Sequence, residues 1–335
     1  MWEETWKNHL KKILDNGYMV EKNTAKGNFK ELIAHQFTLD NPRDRLIIDN
    51  KRSMNIFQCI GQFLWITQGN FSVADIAYYQ PAARKYSSDG ITMIGAYGLR
   101  LFGIHHLNQM NYLLEVLGED PTKRKAVASV YLPQFDQHNK KNEEVPCTLN
   151  LQYLVRDKKV HAVTYMRSQD AYNILPYDLF IFTMLQEYVT AYLGGQYNVE
   201  LGEYHHFSGS FHTYERDEDA IRKVIANPAK CTPMGKMPPD DVYLELGRIN
   251  DFEMVLRNAV SFHTKKEIFL DLDVYEKALE GYADHPYWKQ IGIILLCYGA
   301  WKVKNLGDYE RFMNKLTPVY HHHVKQFLIT HPIIP

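Results

Sequence analysis

Two runs of strand-like sequence, 148–155 and 160–166, are separated only by the polar tetrad Arg156-Asp157-Lys158-Lys159, and an apolar stretch, 179–193, follows soon after. Strands joined by so short a polar connection form an antiparallel hairpin. The apolar stretch is hydrophobic on nearly every side, so a helix there must be buried around most of its circumference. A hairpin feeding such a helix calls for a mixed sheet with helices packed on it, an α+β arrangement.

The flanking sequence completes this outline. Helical periodicity is expected over 6–14, stopped at Asn16-Gly17, and over 54–67, closed by Gln68-Gly69-Asn70. A third helix is expected over 107–117, stopped by Gly118, and a buried strand over 126–131. The helix over 179–193 is expected to end at Gly194-Gly195. Beyond about Asp217 the text becomes helical, with Pro228, Pro233, Pro238 and Pro239 crowding a linker and helices expected over 251–260, 274–282, 287–303 and 308–316. This divides the chain into a catalytic-type domain, 1–229, and a helical C-terminal extension, 230–335.

Composition excludes several classes. With 38 basic and 39 acidic residues the net charge is −1, whereas a general nucleic-acid binder carries a basic excess. The four cysteines, Cys59, Cys147, Cys231 and Cys297, form no CxxC pair, which argues against a disulfide framework or a zinc site. The longest apolar run, 291–301, is too short to span a bilayer, and the charged opening residues 1–16 lack an apolar signal core. A cytoplasmic, reduced protein without a membrane partner is expected.

The chemistry concentrates between Pro146 and Tyr214. Cys147 follows Pro146 at the edge of the hairpin. A lone cysteine is ordinarily a small buried hydrophobe, but a nearby cation favours the thiolate that makes it a nucleophile. Arg167, at the other end of the hairpin, is a suitable cation. With Ser168 it also offers a bidentate fork and a hydroxyl to a phosphate, the alternative being a solvated strand-end turn. His321-His322-His323 sits in a helix-like segment where adjacent residues diverge, so no metal site is expected there. His105-His106 has no partner at ligand spacing, and His205-His206 is expected to be structural.

The order Pro146-Cys147, Arg167-Ser168-Gln169-Asp170, Pro176-Tyr177-Asp178 and His212-Thr213-Tyr214 resembles the Pro-Cys, Arg-Ser-x-Asp, Pro-Phe-Asn and His-x-Tyr motifs of the thymidylate synthase family. Gln152, Phe63-Leu64-Trp65 with Gln68-Gly69, and Tyr97-Gly98 extend the similarity, as does Asp120-Pro121 with Arg124-Lys125. The likeness runs from about Trp6 to Asp217. It implies the thymidylate synthase fold, with the C-terminal helical extension added, and a homodimer in which Arg124 reaches the other subunit's phosphate site.

The resemblance further implies a reaction at C5 of a pyrimidine nucleoside monophosphate, with 5,10-methylenetetrahydrofolate as cosubstrate. Cys147 would add to C6, with Asp178 and Tyr97 in the catalytic centre. Arg167, Ser168, Arg124 and Lys125 would hold the phosphate, Asp170 and Gln152 would serve the nucleotide, and His212 with Tyr214 would bind the sugar. Gln62, Trp65 and Tyr79 would flank the folate. Hydride transfer would yield a methyl group, and water addition a hydroxymethyl group.

Departures from the family sharpen this expectation. Asp178 stands where the family has asparagine; an ionised carboxylate only accepts, which matches the amino group of cytosine and repels the O4 of uracil. The competing expectation is that Asp178 caps a helix starting at residue 179. Gln62 replaces a glutamate tied to proton movement, and an amide is no general acid. Tyr78, Tyr79 and Tyr86 occupy the region of the family's folate tryptophans, Ile174 replaces a glycine and Lys125 an arginine. The phosphate-loop arginine has no match, with Lys22 or Lys26 as substitutes. A cytidylate 5-hydroxymethylase is the leading expectation, CMP before dCMP. The alternatives are a thymidylate synthase or uridylate hydroxymethylase, and a catalytically silent nucleotide-binding scaffold.

Overall fold

A computed structural model describes residues 1–21, 27–103, 107–137, 144–266, 269–282 and 285–333. Lys22, Lys26 and His105-His106 lie outside the described residues.

Helix α1 (Trp2–Asn16) places Trp2, Trp6, Leu10 and Ile13 on one buried stripe, the spacing a one-sided helix requires. Strands β1 (Tyr18–Val20), β2 (Phe29–Leu39), β3 (Ile48–Asp49) and β4 (Arg52–Ser53) follow. Helix α2 (Ile56–Thr67) starts where Asn55 Oδ1 accepts from the backbone N–H groups of Phe57 and Gln58, and it ends at Gly69, whose φ of 64° suits glycine. Then come α3 (Val73–Tyr79), a 3₁₀ turn at Pro81–Tyr86, a π turn at Leu99–Gly103 and α4 (Gln109–Glu119). Gly118, expected to stop α4, lies inside it, and Asp120 follows as the cap.

Strand β5 (Val127–Ser129), the short helix α5 (Pro133–Asp136), β6 (Thr148–Arg156) and β7 (Lys159–Asp170) lead to α6 (Leu175–Tyr197). The hairpin expected from the sequence is present: Arg156 pairs with Lys159, and both residues between them, Asp157 and Lys158, have positive φ. That is the two-residue turn whose twist matches antiparallel strands. Helix α6 differs at both ends. It begins at Leu175, with Pro176 in its first turn, and runs through Gly194-Gly195 to a left-handed cap at Asn198. Packing around the helix outweighs the modest penalty of two interior glycines.

Strand β8 (Glu200–Tyr214) and α7 (Glu218–Ile225) complete the first part. The helices α8 (Val242–Lys266), α9 (Leu272–Ala278), α10 (Pro286–Lys302), α11 (Leu306–Met313) and α12 (Pro318–Thr330) follow. A six-stranded sheet has the order β1-β2-β8-β7-β6-β5. All neighbours are antiparallel except β7 and β8, which run parallel because α6 carries the chain back between them. Strands β2 and β8 were not expected from the sequence, yet they form the sheet's centre and one flank.

One sheet face is buried under α1 and α6, with Phe37, Leu39, Val160, Ala162, Tyr204 and His206 turned inward. The opposite face leaves Ile33 66% and Phe207 36% exposed, with Phe207 stacked on Tyr165 at 5.3 Å. The helices after residue 241 share the main hydrophobic core: Tyr298 of α10 and Phe327 of α12 both pack on Phe57 of α2. No described helix is long and apolar enough to cross a membrane.

Candidate functional site

The parallel pair positions the site. Because β7 and β8 run in the same direction, their last residues arrive together: Ser168 pairs with Ser210 and Asp170 with His212. Ligands in sheets with parallel strands gather beyond such carboxyl ends. Residues from two of the sequence motifs therefore sit side by side, and α6 starts directly beyond them.

Cys147 enters from the hairpin. Its carbonyl accepts from the Arg167 backbone N–H at 2.8 Å, and the Arg167 side chain donates from Nε to Pro146 O (3.0 Å) and from Nη2 to Val145 O (2.9 Å). The guanidinium is thus fixed beside the cysteine segment. Among the described residues its Nη1 makes no hydrogen bond, and the side chain is exposed, which leaves a donor for an anion.

Tyr97 stands against both Cys147 and the start of α6. Thr148 Oγ1 donates to the Tyr97 hydroxyl at 2.9 Å. Burial pushes the phenol well above its usual range, and the charges of Asp178 and Cys147 push the same way. The phenol therefore stays protonated and can donate. Tyr214 is also raised, first by burial and then by Asp170, with Cys147 and Tyr86 contributing. Tyr97, Cys147, Asp170, Asp178, Tyr214 and Tyr86 thus act on one another through charge.

The structure sets aside one of the two expectations for Asp178, that of a helix cap. Helix α6 starts at Leu175, so Asp178 lies within its first turn and donates its own backbone N–H to Ile174 O at 3.1 Å. It is not a cap. Its carboxyl is buried, and Oδ2 accepts from Gln169 Nε2 at 3.0 Å. Burial raises its pKa to about 7, Asp170 adds to the rise and the Gln169 bond opposes it. A helix N-terminus favours anions, so desolvation outweighs both helix dipole and hydrogen bond here.

The other expected residues divide into groups. Asp170 shapes the turn into α6, its Oδ1 accepting from the backbone of Tyr172 and Asn173 and its Oδ2 from Asn173 Nδ2. His212 is buried edge-on to Tyr214 at 5.3 Å, and its Nδ1 lies 3.5 Å from Ser210 Oγ. Gln152 is on the other face of β6, where its Nε2 donates to Arg124 O at 2.9 Å. Arg124 and Lys125 are exposed, and neither side chain makes a hydrogen bond or ion pair among the described residues. Ile174 is 40% exposed at the entry to α6.

The three residues expected at the folate lie on two adjoining helices, Gln62 and Trp65 on α2 and Tyr79 on α3. Gln62 is half-buried on α2. Trp65 is buried and donates to Ser72 O at 3.2 Å. Tyr79 lies between Gly61 and Tyr298, and its hydroxyl donates to Glu253 Oε1 at 2.8 Å. A Cβ at position 61 would stand 2.3 Å from the Tyr79 ring, so the pair is close-packed. Tyr79 is therefore a core residue, as is Tyr78, which stacks edge-on to Tyr298. Tyr86 is the tyrosine of the three that stays open, half exposed and within electrostatic reach of Tyr214.

Sequence reasoning passed over Gln169, Thr148 and Ser210, which donates to Glu31. Gln169 occupies a motif gap and Ser210 a strand that was not foreseen, while Thr148 opens a foreseen strand but gains its meaning only from its contact with Tyr97. His205 and Glu203 lie on the opposite sheet face from His206. They form a compact group with His161, and Thr38 meets His205 Nδ1 at 3.0 Å. His206 is buried, with Tyr204 Oη at 3.0 Å from its Nδ1. A cavity of about 660 Å³ among Glu276, Lys277, Lys289 and Arg311 belongs to the helical tail and shares no lining residue with the Cys147 centre.

Comparison with known proteins gives the family. The family described as thymidylate synthase matches residues 4–289. The chain belongs to the thymidylate synthase family. It is 30% identical over 202 residues to the deoxyuridylate hydroxymethyltransferase of Bacillus phage SP01, covering 57% of this chain and 52% of that protein. It is 26% identical over 233 residues to the deoxyuridylate hydroxymethyltransferase of Delftia phage PhiW-14, covering 65% of this chain and 62% of that protein. A putative thymidylate synthase of Methanosarcina mazei is 35% identical over 130 residues, 38% of this chain and 57% of that protein. The chain thus spans between half and two-thirds of the length of these relatives. The family match crosses the Pro-rich linker and reaches α10, so the thymidylate synthase likeness is wider than the Trp6 to Asp217 segment in which the motifs lie.

Proposed function

We propose that this protein transfers a one-carbon unit to C5 of a pyrimidine nucleoside monophosphate and releases a 5-hydroxymethyl product. The observation that carries this reading is the convergence of Cys147, Arg167, Tyr97 and a buried Asp178 at the ends of β7 and β8. 5,10-Methylenetetrahydrofolate, held at a site to which Tyr86 offers an open ring, supplies a one-carbon unit at the oxidation level of formaldehyde. Tyr86 replaces Trp65 and Tyr79 in this role because both are packed in the core.

The chain's residues do the rest. The Cys147 sulfur bonds to C6, and the electron pair of the 5,6 double bond moves to C5 and the adjoining carbonyl or amidine. C5 then bonds to the one-carbon unit and loses its proton, and tetrahydrofolate departs with the electron pair of its bond to that carbon, leaving an exocyclic methylene on C5. Water adds to the exocyclic carbon, and departure of the sulfur restores the double bond. Tyr97, kept protonated by burial, donates toward the charge that develops on the ring. Arg167 and Ser168 hold the phosphate, with Arg124 and Lys125 of a second copy. His212 and Tyr214 hold the sugar.

Cytidylate is the favoured substrate in this reading, because a carboxylate at position 178 accepts from the 4-amino group. CMP precedes dCMP on the basis of Lys125. The second reading, a uridylate, is favoured by the names of the two phage relatives. The exposed sheet face with Ile33, Tyr165 and Phe207 supports a homodimer, since a patch of this kind on a sheet is a common self-association surface. Residues 230–335 form a helical extension on the catalytic part.

The test is incubation with the folate and each of CMP, dCMP, UMP and dUMP carrying tritium at C5. Tritium release and a product heavier by one hydroxymethyl group are expected, and Cys147→Ser should reduce release at least about a thousandfold, the scale of losing a nucleophile. A methylated product with dihydrofolate would replace hydroxymethylation by synthase chemistry. Nucleotide binding with no release would leave a silent scaffold.

A further inference from the structure

Gln169 is buried more completely than its place at a strand end requires. Its residue is 1% exposed, its Nε2 donates to Asp178 Oδ2, and its Oε1 is buried with no partner among the described residues. An amide interred for one good hydrogen bond, with its oxygen unanswered, works against stability. Such a group calls for a role in the site.

The surroundings of Asp178 define that role. It is faced by Gln169 and Asp170 of β7, by Tyr204 of β8 and by Tyr97 before the π turn. No cation among the described residues forms an ion pair with it, and its Oδ1 makes no hydrogen bond among them. The two carboxyl oxygens are therefore unequal: one is engaged by the Gln169 amide, the other open.

We infer that Gln169 is the positioning residue that sets base choice: by donating to Oδ2 it makes Oδ1 the single carboxyl atom offered to the base, so that an ionised Asp178 selects cytosine and a neutral Asp178 selects uracil. The inference rests on the pyrimidine-nucleotide reading above. An oxygen already accepting from Nε2 does not also carry the proton, so any proton on Asp178 resides on Oδ1. Ionised Oδ1 accepts from the 4-amino group of cytosine and repels the O4 of uracil. Protonated Oδ1 donates to O4 and meets the amino group donor to donor. Burial brings Asp178 to about 7, so both forms are present near neutral pH. One site thus accommodates both the acid at position 178 and relatives named for a uridylate.

The experiment measures kcat/KM for dUMP and dCMP, and for UMP and CMP, on the full chain from pH 5.5 to 8.5. Groups common to both reactions, such as the Cys147 thiol, cancel in the uracil-to-cytosine ratio. The ratio should fall about tenfold per pH unit across the range. Gln169→Met, close in volume but without a donor, no longer favours the carboxylate, and its ratio should rise about tenfold at every pH. Asp178→Asn should give a ratio that is high and flat. If Gln169→Met does not fold, as judged by circular dichroism, Gln169→Glu places a second carboxyl there and should raise the ratio in the same direction.

If no nucleotide releases tritium, the hydroxymethyl-transfer reading fails, and the ratio is taken from Kd values by calorimetry, which need no turnover. A wild-type ratio that ignores pH, or Gln169 variants that overlay the wild type, overturns the inference.

Discussion

Glu253 offers a direct test of how the helical tail is held. It lies on α8, buried, and its Oε1 accepts from Tyr79 Oη and Arg257 Nε, both at 2.8 Å, while Oε2 accepts from Gln68 Nε2 at 2.9 Å. Tyr79 belongs to α3 and Gln68 caps α2, so one carboxylate ties both to α8. Arg257 extends the group, its Nη1 bonding Asp75 Oδ1 at 2.5 Å. Replacing Glu253 by alanine removes three hydrogen bonds and leaves Arg257 with Asp75 alone.

Removing one partner of a buried ion pair costs about 3–5 kcal/mol, because the other charge is left in a poor solvent. Each stranded neutral donor adds about 1–3 kcal/mol unless water enters the space. With Asp75 retained and water able to fill the gap, a loss near 4 kcal/mol is expected for Glu253→Ala, within those ranges. Glu253→Gln keeps one acceptor for Tyr79 and Arg257 but turns its amide nitrogen toward the Gln68 donor. It should cost about half as much. Urea unfolding followed by far-ultraviolet circular dichroism reads both values. A single cooperative transition at lower urea is expected, since α10 and α12 share the core with α2. A Glu253→Ala loss below about 1 kcal/mol would refute the claim that this group holds α8 in place.

Two further outcomes follow from buried titrating groups. His9 and His35, whose Nδ1 and Nε2 lie 3.0 Å apart, are both held down to about 4, mainly by burial, and His206 to about 3. Their folded values lie below the unfolded one, so the unfolded chain takes up protons first and stability falls as pH drops from about 6.5 toward 4. Thermal denaturation across that window should show this, at up to about 1.4 kcal/mol per pH unit for each histidine, and the slope should shrink in His206→Gln. Asp178 behaves oppositely for a carboxyl: its folded value of about 7 exceeds the unfolded one, so its contribution is present at low pH and is lost as pH rises from about 4 to 7. Asp178→Asn should therefore raise stability at pH 7 by up to about 4 kcal/mol, and an unchanged melting temperature would contradict the burial argument.

Much of the architecture is legible in local sequence, and the failures have identifiable causes. The 156–159 turn and the apolar helix announce themselves because turn chemistry and composition act within a few residues. Strand β8 stays hidden: Glu200 to Tyr214 mixes glycine, serine and histidine, and the strand lies between two neighbours whose pairing supplies what its propensity lacks. In β2 the Ala34 φ of 54° interrupts the alternation that would have marked it. The order of the motifs makes the family legible. The packing of Tyr79 is not legible because the close approach at Gly61 and the Glu253 acceptor lie far away in sequence. Gln169 occupied a gap between recognisable residues, and its meaning appears only when the helix start is known.

That helix start is where the fold and the proposed base choice meet. Were α6 to begin at residue 179, Asp178 would cap it, with its carboxylate turned to the backbone and solvated at the helix end. Starting at Leu175 instead draws Asp178 into the first turn, over the last residues of β7, and the parallel crossover brings Tyr204 of β8 to the same place. The carboxyl then loses water faster than the helix dipole and Gln169 can compensate, which lifts its pKa into the range where it exists as both acid and base. An asparagine would fill the position at no such cost. A titrating group there accepts when ionised and donates when neutral, and four residues of helix length decide whether it is drawn into that buried place.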